Sequence, residues 1–527
     1  MPDVLLGQAY YLRFDPKLWK ARQPYPPLGT LYAASYLRER GHAIALFDAM
    51  LADSPAGWRQ ALDREQPRIA VIYEDSFNYL SKMCLLRMRD AAFAMIDHAR
   101  QSGRPVIVSG SDATDHPELY LARGAAAVIL GEGEVTLAEL VERLLAGQRV
   151  AGVPGAATLG PDGTVHRGPA RPFLRSLDDL PLPAWDLVDI DRYRAIWRGR
   201  HGYHSMNVAT TRGCPFHCNW CAKPIYGQRY AVRSAASVAA EFAWLKRTYA
   251  PDHLWVVDDV FGLKPGWVAD FARELDARGA HIPFRCLMRA DQVSRAVAAS
   301  LAASGCRMVW MGAESGSQRI LDAMEKGLRV DDIREACRHL RQSGIATGLF
   351  LQFGYPGETW DDVQATLELV RDLDPADIGV SVSYPLPGTR FHERVRDELG
   401  QKQNWVDSDD LAVMYHATYA PEFYRELHHA VHFEFRARRL VRQVAALARA
   451  PWRARPADLR PIASWGLNRW RLARSHRRLA KLAADPAHRA SIATLPPQLS
   501  PAAAATPTRQ DDWPLGGTAP PPAGSRP

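Results

Sequence analysis

Short apolar runs alternate with stretches of helical periodicity along most of this chain, and no other feature restricts its fold as strongly. In the first part the runs are Val4 to Gly7, Ala43 to Phe47, Arg68 to Tyr73, Pro105 to Ser109 and Ala126 to Leu130, with helical patterns at Leu28 to Arg40, Tyr79 to Ser102 and Val135 to Ala146. A chain that alternates in this way builds a doubly wound parallel sheet, with ligands at the carboxyl ends of its strands. A second series follows: Met206 to Thr210, Leu254 to Val257, Phe284 to Met288, Met308 to Gly312, Thr347 to Phe353 and Ile378 to Val382. Six such βα units imply a partial parallel barrel, again with its chemistry at the carboxyl ends. The fold class is therefore α/β: a Rossmann-like N-terminal sheet, a partial (β/α)6 barrel and a helical C-terminal extension. We divide the chain into 1–147, a connector at 148–200, the barrel at 201–400, a basic helical region at 401–490 and a tail at 491–527. In the connector, Ala157 to Leu159 and Thr164 to His166 read as a hairpin with a type I′ turn at Asp162-Gly163. Ser176 to Asp186, SLDDLPLPAWD, is too rich in Pro and Asp for a regular element and is expected to strap the two domains together, with Trp185 packing.

The loop after the first barrel strand is TRGCPFHCNWC, Thr211 to Cys221, in which Cys214, Cys218 and Cys221 stand at CxxxCxxC spacing. Three thiolates on one tight loop suit three irons of a cubane 4Fe-4S cluster and leave the fourth iron without a protein ligand. A cluster used only for electron transfer is normally closed by a fourth cysteine, so an open iron is a place for a substrate to bind. The alternative is a zinc site completed by His217, in a zinc-stabilised binding protein. His217 and Cys218 are adjacent, however, and neighbouring side chains converge poorly on one tetrahedral ion.

The cysteine spacing, Trp220 before the last cysteine and the strand before the loop resemble the radical S-adenosylmethionine (SAM) enzymes. The resemblance implies that Cys214, Cys218 and Cys221 hold the cluster, that SAM binds the open iron, and that one electron from an external flavodoxin- or ferredoxin-type donor yields a 5'-deoxyadenosyl radical. It also places Asp258 and Asp259 at the SAM amino group, Arg289 and Glu314 (in GAESG) at its carboxylate and ribose, and Gly354 in the turn beside adenine. The N-terminal loops resemble the cobalamin-binding domain that precedes the barrel in many members, with Gly29, Ser76 in EDSF, Gly110, Gly131, Glu132 and Gly133 as the implied contacts. No DxHxxG motif is present to supply a histidine to cobalt. Tight turns in any flavodoxin-like sheet are the alternative for these glycines. The resemblance implies C-methylation of an unactivated carbon. Its alternatives are an oxidative cyclase like the anaerobic magnesium-protoporphyrin ester cyclase, and a radical SAM enzyme whose first domain is only a scaffold.

Composition narrows the partners. The chain has no apolar run long enough to cross a bilayer and no secretory leader pattern, and its odd count of seven cysteines is not a disulfide framework, so we read it as cytoplasmic. From Pro421 to Arg489 there are sixteen Lys and Arg against five Asp and Glu, +11, which leaves −3 for the rest of a chain whose total is +8. The basic character belongs to one segment and gives no reason to expect nucleic acid at the catalytic part, where a small-molecule or natural-product substrate is expected. Phe423, Leu427, Val431 and Phe435 after Pro421 suggest an amphipathic helix closing one side of the barrel. From Arg436 to Arg489, Arg interleaves with Leu, Ala, Trp452, Trp465 and Trp470, a pattern that fits either a solvated helical face or peripheral contact with an anionic membrane. Beyond Leu495, Pro, Ala, Gly and Thr predict disorder.

Overall fold

Strands β1 (Val4–Gly7), β2 (Ile44–Phe47), β3 (Ile69–Tyr73), β4 (Val106–Ser109) and β5 (Ala127–Ile129) form a parallel sheet in the order β2-β1-β3-β4-β5. Nearly every residue of β1, β3, β4 and β5 is buried, as strands covered by helices on both faces require. The computed structural model describes residues 1–449 and 465–484; Trp452 and the tail beyond Leu495 lie outside the described residues.

Two sequence expectations change here. The Tyr79 to Ser102 helix is two helices, Tyr79–Lys82 and Leu86–Gln101, broken at Cys84, whose φ is +53°. The connector hairpin, β6 (Ala156–Leu159) and β7 (Val165–Arg167), has a five-residue loop rather than a type I′ turn, because Leu159 pairs with Val165 and only Gly163 adopts positive φ. Through β6 it extends the N-terminal sheet, pairing antiparallel with β5. The SLDDLPLPAWD segment straps as expected. Asp178 accepts from the Ser234 N–H at the start of the Ala235–Thr248 helix (3.0 Å), and Ala184 N–H donates to Leu31 carbonyl oxygen (3.2 Å) in the Leu28–Glu39 helix. Trp185 is buried.

After β8 (Ser205–Val208), the short antiparallel pair β9 (Thr211–Arg212) and β10 (Ala231–Val232) brackets the cysteine loop. β8 then continues with β11 (His253–Val256), β12 (Phe284–Met288), β13 (Cys306–Glu314), β14 (Ala346–Phe353) and β15 (Asp377–Val382) into a six-stranded, wholly parallel sheet in sequential order. One apolar core runs through the barrel and on to Leu28, Leu31 and Phe77 of the first sheet's helical layer. The Pro421–Arg449 helix lies against the barrel, where Tyr424 packs beside Gly354. No helix among the described residues is long and apolar enough to cross a membrane.

Candidate functional site

The cysteine loop is aimed by three local devices. Asp258, just beyond β11, is 1% exposed and accepts from Thr210 N–H (2.7 Å), Thr211 N–H (2.9 Å) and the Thr210 hydroxyl, which fixes the chain where it leaves β8. Gly213 follows with φ +77°, and a Cβ there would collide with the carbonyl oxygen of Arg229 on the returning strand, so only glycine fits. Within the loop, Lys223 Nζ donates to Phe216 carbonyl oxygen (2.7 Å) and Cys221 N–H to Cys218 carbonyl oxygen (3.2 Å).

Asn219, between the second and third cysteines, is held by every polar group it has. Its N–H donates to Met324 O (3.1 Å) and its Nδ2 to Ala323 O (2.9 Å). Its Oδ1 accepts from the Tyr355 hydroxyl (3.0 Å) and its carbonyl from Phe391 N–H (2.9 Å). The loop is thus bolted to the C-terminal end of the Gln318–Ala323 helix that follows β13 and, through Tyr355, to the turn after β14. Arg289 adds to this, its guanidinium lying 3.7 Å from the centre of the Phe216 ring while it bonds Asp291 and the carbonyls of Lys326 and Gly327.

Cys218 is buried, Cys214 and Cys221 are half-buried, and all three are free thiols. Burial pushes Cys221 up to about 12 and raises Cys214, against the lowering effect of the Lys223 cation. Iron binding at the loop therefore displaces protons from these thiols. Among the described residues no three His, Cys, Asp or Glu side chains gather about a point as a single ion would need. Three soft donors spread over one loop fit three corners of a cluster, not one tetrahedral ion. Cys286 is fully buried beside Cys306 in the core and does not face the loop.

The expected SAM contacts fall into two groups. Asp258 and Arg289 are both engaged, as described, in holding loops. Glu314 and Asp259 sit at the barrel mouth and are each ion-paired. Glu314, a non-glycine residue in the left-handed region at φ +58°, pairs with Lys326 at 2.9 Å, both nearly buried. Lys326 Nζ lies 5.7 Å from the centre of the Trp220 ring and is close enough to Cys218 to feel its charge. Asp259 pairs at 2.5 Å with Lys82 of the first domain. Gly354 has φ +81°, donates its N–H to buried Glu358 (2.6 Å) and accepts from the Tyr415 hydroxyl through its carbonyl.

In the first domain, Glu132 accepts from Arg212 (2.7 Å) and from Leu174 N–H (2.8 Å), and Ser76 bonds the Tyr226 hydroxyl (2.6 Å), so both join the N-terminal sheet's loops to the region around the cysteine loop. Arg212, in the TRGC motif, also pairs with Glu134 at 2.6 Å and is ringed by Tyr226, Tyr32 and Phe77. The glycines are close-approach positions. A Cβ on Gly133 would lie 2.5 Å from the Tyr73 hydroxyl, and one on Gly110 2.7 Å from Glu74 Cγ. Gly29 N–H donates to Asp75 (2.9 Å), and Gly131 has φ +79° facing the Ile225 carbonyl.

The switch point of this sheet lies between β1 and β3, where a doubly wound fold binds its ligand. Beyond the carboxyl ends of β3 and β4 a small cavity of about 20 Å³ is lined by Glu74, Ser81, Cys84, Ser111, Asp112 and Tyr120, among others. Glu74 Oε2, Ser81 Oγ and Ser111 Oγ are buried without partners, and burial pushes Glu74 up to about 8. These orphaned polar atoms are groups that a polar ligand or water at the strand ends would satisfy. No histidine lines the cavity.

The short Tyr79–Lys82 helix carries two residues the sequence did not single out. Tyr79 is 62% exposed, yet its hydroxyl is raised by surrounding protein and feels Cys221 and Glu314. Lys82 beside it lies within the reach of Cys221 and Asp259.

A three-thiol loop at the mouth of a partial barrel is thus joined by buried ion pairs to a doubly wound sheet. Known proteins give the same picture. The model of the Radical SAM superfamily matches residues 208–370, and that of the B12 binding domain matches residues 18–141. A Pyrococcus horikoshii protein named as the uncharacterized methyltransferase PH0819 is 30% identical over 387 residues, 72% of this chain and 81% of that one. The anaerobic magnesium-protoporphyrin IX monomethyl ester cyclase of Rubrivivax gelatinosus is 23% identical over 393 residues, 72% of this chain and 69% of its own. The structure of the radical SAM methyltransferase TsrM from Kitasatospora setae, with cobalamin and a 4Fe-4S cluster bound, has a TM-score of 0.62 at 22% identity over 75% of this chain and 78% of that one, a likeness of fold. The chain belongs to the radical SAM enzymes that carry an N-terminal cobalamin-binding domain, and its cofactors are a 4Fe-4S cluster, SAM and cobalamin.

Proposed function

We propose that this enzyme methylates an unactivated carbon of a small-molecule substrate. The observation that carries the reading is the Arg212 bridge, by which the loop that holds the cluster is locked to the domain that holds cobalamin; on this reading the reaction chamber lies at the barrel mouth between them. When bound, the cluster supplies the electron that cleaves one SAM to methionine and a hydrogen-abstracting radical, and cobalamin carries the methyl group drawn from a second SAM. Cys214, Cys218 and Cys221 anchor the cluster, while Asn219 and Lys223 hold the loop still. Lys326 and Glu314 place a buried charged pair beside Cys218, where the polar end of SAM would bind. Tyr79 and the Lys82–Asp259 pair line the chamber and help exclude water from it. The electron comes from an external donor of flavodoxin or ferredoxin type, and the basic C-terminal helices are a surface for an anionic partner.

Oxidative ring closure is the second reading, favoured by the likeness to the ester cyclase. One experiment separates the two without the substrate in hand. Protein reconstituted anaerobically with iron, sulfide and cobalamin is reduced in the presence of SAM, and the nucleosides are measured. Methyl transfer predicts S-adenosylhomocysteine as well as 5'-deoxyadenosine, with the deoxyadenosine lost in Cys218→Ala. Deoxyadenosine alone supports the cyclase. If neither forms, the radical assignment fails.

A further inference from the structure

The Pro421–Arg449 and Trp465–Ala484 helices pack on one another and share an apolar inner face, in which Leu427, Val431 and Leu440 of the first and Leu479 of the second are buried. The outer face has a different character. On the second helix Trp470, Arg474, Arg477 and Lys481 recur at positions i, i+4, i+7 and i+11, which set them in one exposed stripe. The Arg474 guanidinium lies 5.5 Å from the centre of the Trp470 ring, and the ring is 53% exposed. The helix contains no Asp or Glu.

Elsewhere in the fold, exposed arginines on helices tend to find a carboxylate one turn away, as Arg273 does with Asp270 and Arg278 with Glu274. Among the described residues, Arg474, Arg477 and Lys481 have no carboxylate within ion-pair distance; Arg478, off the stripe, pairs with Glu426. An unpaired cationic stripe that also presents a half-exposed indole calls for a partner both anionic and able to take an apolar side chain, which a lipid headgroup layer over hydrocarbon supplies along one continuous face.

We propose that this two-helix face docks the enzyme on an anionic phospholipid surface, the cations meeting headgroup phosphates and Trp470 entering the interface. The contact is peripheral and is separate from the chemistry at the barrel mouth.

The test uses the full reconstituted chain in flotation with phosphatidylcholine vesicles, and with vesicles in which about a third of the lipid is phosphatidylglycerol. Binding is expected only to the anionic vesicles and should fall as salt rises. Each neutralised cation should weaken partitioning about fivefold, the equivalent of ~1 kcal/mol, so Arg474→Gln/Arg477→Gln/Lys481→Gln should lose roughly a hundredfold. The unfolding midpoint of that triple variant should match that of the parent, which separates lost docking from lost folding. Trp470→Ala should weaken binding and leave its salt dependence in place. Cys218→Ala should float like the parent, so a failure of the methyl-transfer reading would not touch this one. Equal binding to neutral vesicles, binding to neither, an unaltered triple variant, or retention of a single-stranded RNA without vesicle binding would overturn the proposal.

Discussion

Removing the Arg212 cation tests whether the two cofactor domains are locked by charge. Its side chain is 4% exposed, and those of Glu132 and Glu134 are 8% and 2% exposed. Arg212→Met fills much the same volume and leaves two carboxylates in the interface. Glu132 keeps Leu174 N–H at 2.8 Å and a half-exposed Arg229 at 3.7 Å, so Glu134 bears most of the loss. Breaking a buried pair from one side costs ~3–5 kcal/mol, about a thousandfold in the folding equilibrium at the middle of that range. Urea unfolding of the cofactor-free protein measures it, with cobalamin retention on gel filtration of the reconstituted protein as a second readout. The reasoning has a sharper consequence. Arg212→Met/Glu132→Gln/Glu134→Gln contains no stranded charge and should recover most of the stability, since neutral replacements of a buried ion cluster are often well tolerated. A loss below ~1 kcal/mol in the single variant, or a triple variant no more stable than the single one, would refute the argument.

Two further outcomes follow from the site. Asn219→Ala removes the side-chain bonds to Ala323 and Tyr355, worth ~1 kcal/mol each, so iron bound per chain after desalting should fall while the free energy of global unfolding is lowered by no more than about 2 kcal/mol; unchanged iron retention would mean that the loop is held some other way. Glu358 is fully buried with Oε1 unpartnered, and burial pushes it up from 4.5 to about 8. The folded state therefore keeps a proton that the unfolded chain releases, and this residue's contribution to stability falls as pH rises between those values, by up to ~1.4 kcal/mol per unit. Glu358→Gln should remove that loss, so its stability relative to wild type should improve steadily from pH 5 to pH 8; a constant difference across the window would count against a buried, protonated Glu358.

The strands were legible because their signal is local. Phe284–Met288 and Val4–Gly7 match their apolar runs to the residue, and the other strands differ only at their ends. The cysteine loop was legible for the same reason, its three ligands lying within eight residues. The failures are all long-range. Nothing in KMCLL marks a helix break, yet the N–H groups of Leu86 and Arg87 are taken by the carbonyls of Trp405 and Val406, and the helix parts at Cys84. The pairing of Glu132 with Arg212, 80 residues away, is equally invisible in the sequence, as is the way Arg289 and Asp258, at strand ends, hold the cluster loop. The only sequence hint for Asn219 was its place between two cysteines, and Tyr79 had none, since its role depends on the break five residues later.

That break has a consequence for how such an enzyme changes. Because the chain parts at Cys84, Tyr79 and Lys82 of the first domain stand beside Cys221 and Asp259 of the barrel. The residues expected to anchor the cluster and these neighbours lie more than a hundred positions apart in the gene. Mutation can therefore reshape which molecule fits while the radical-generating loop stays as it is, and residues 78–84 are the place to begin when altering the choice of substrate.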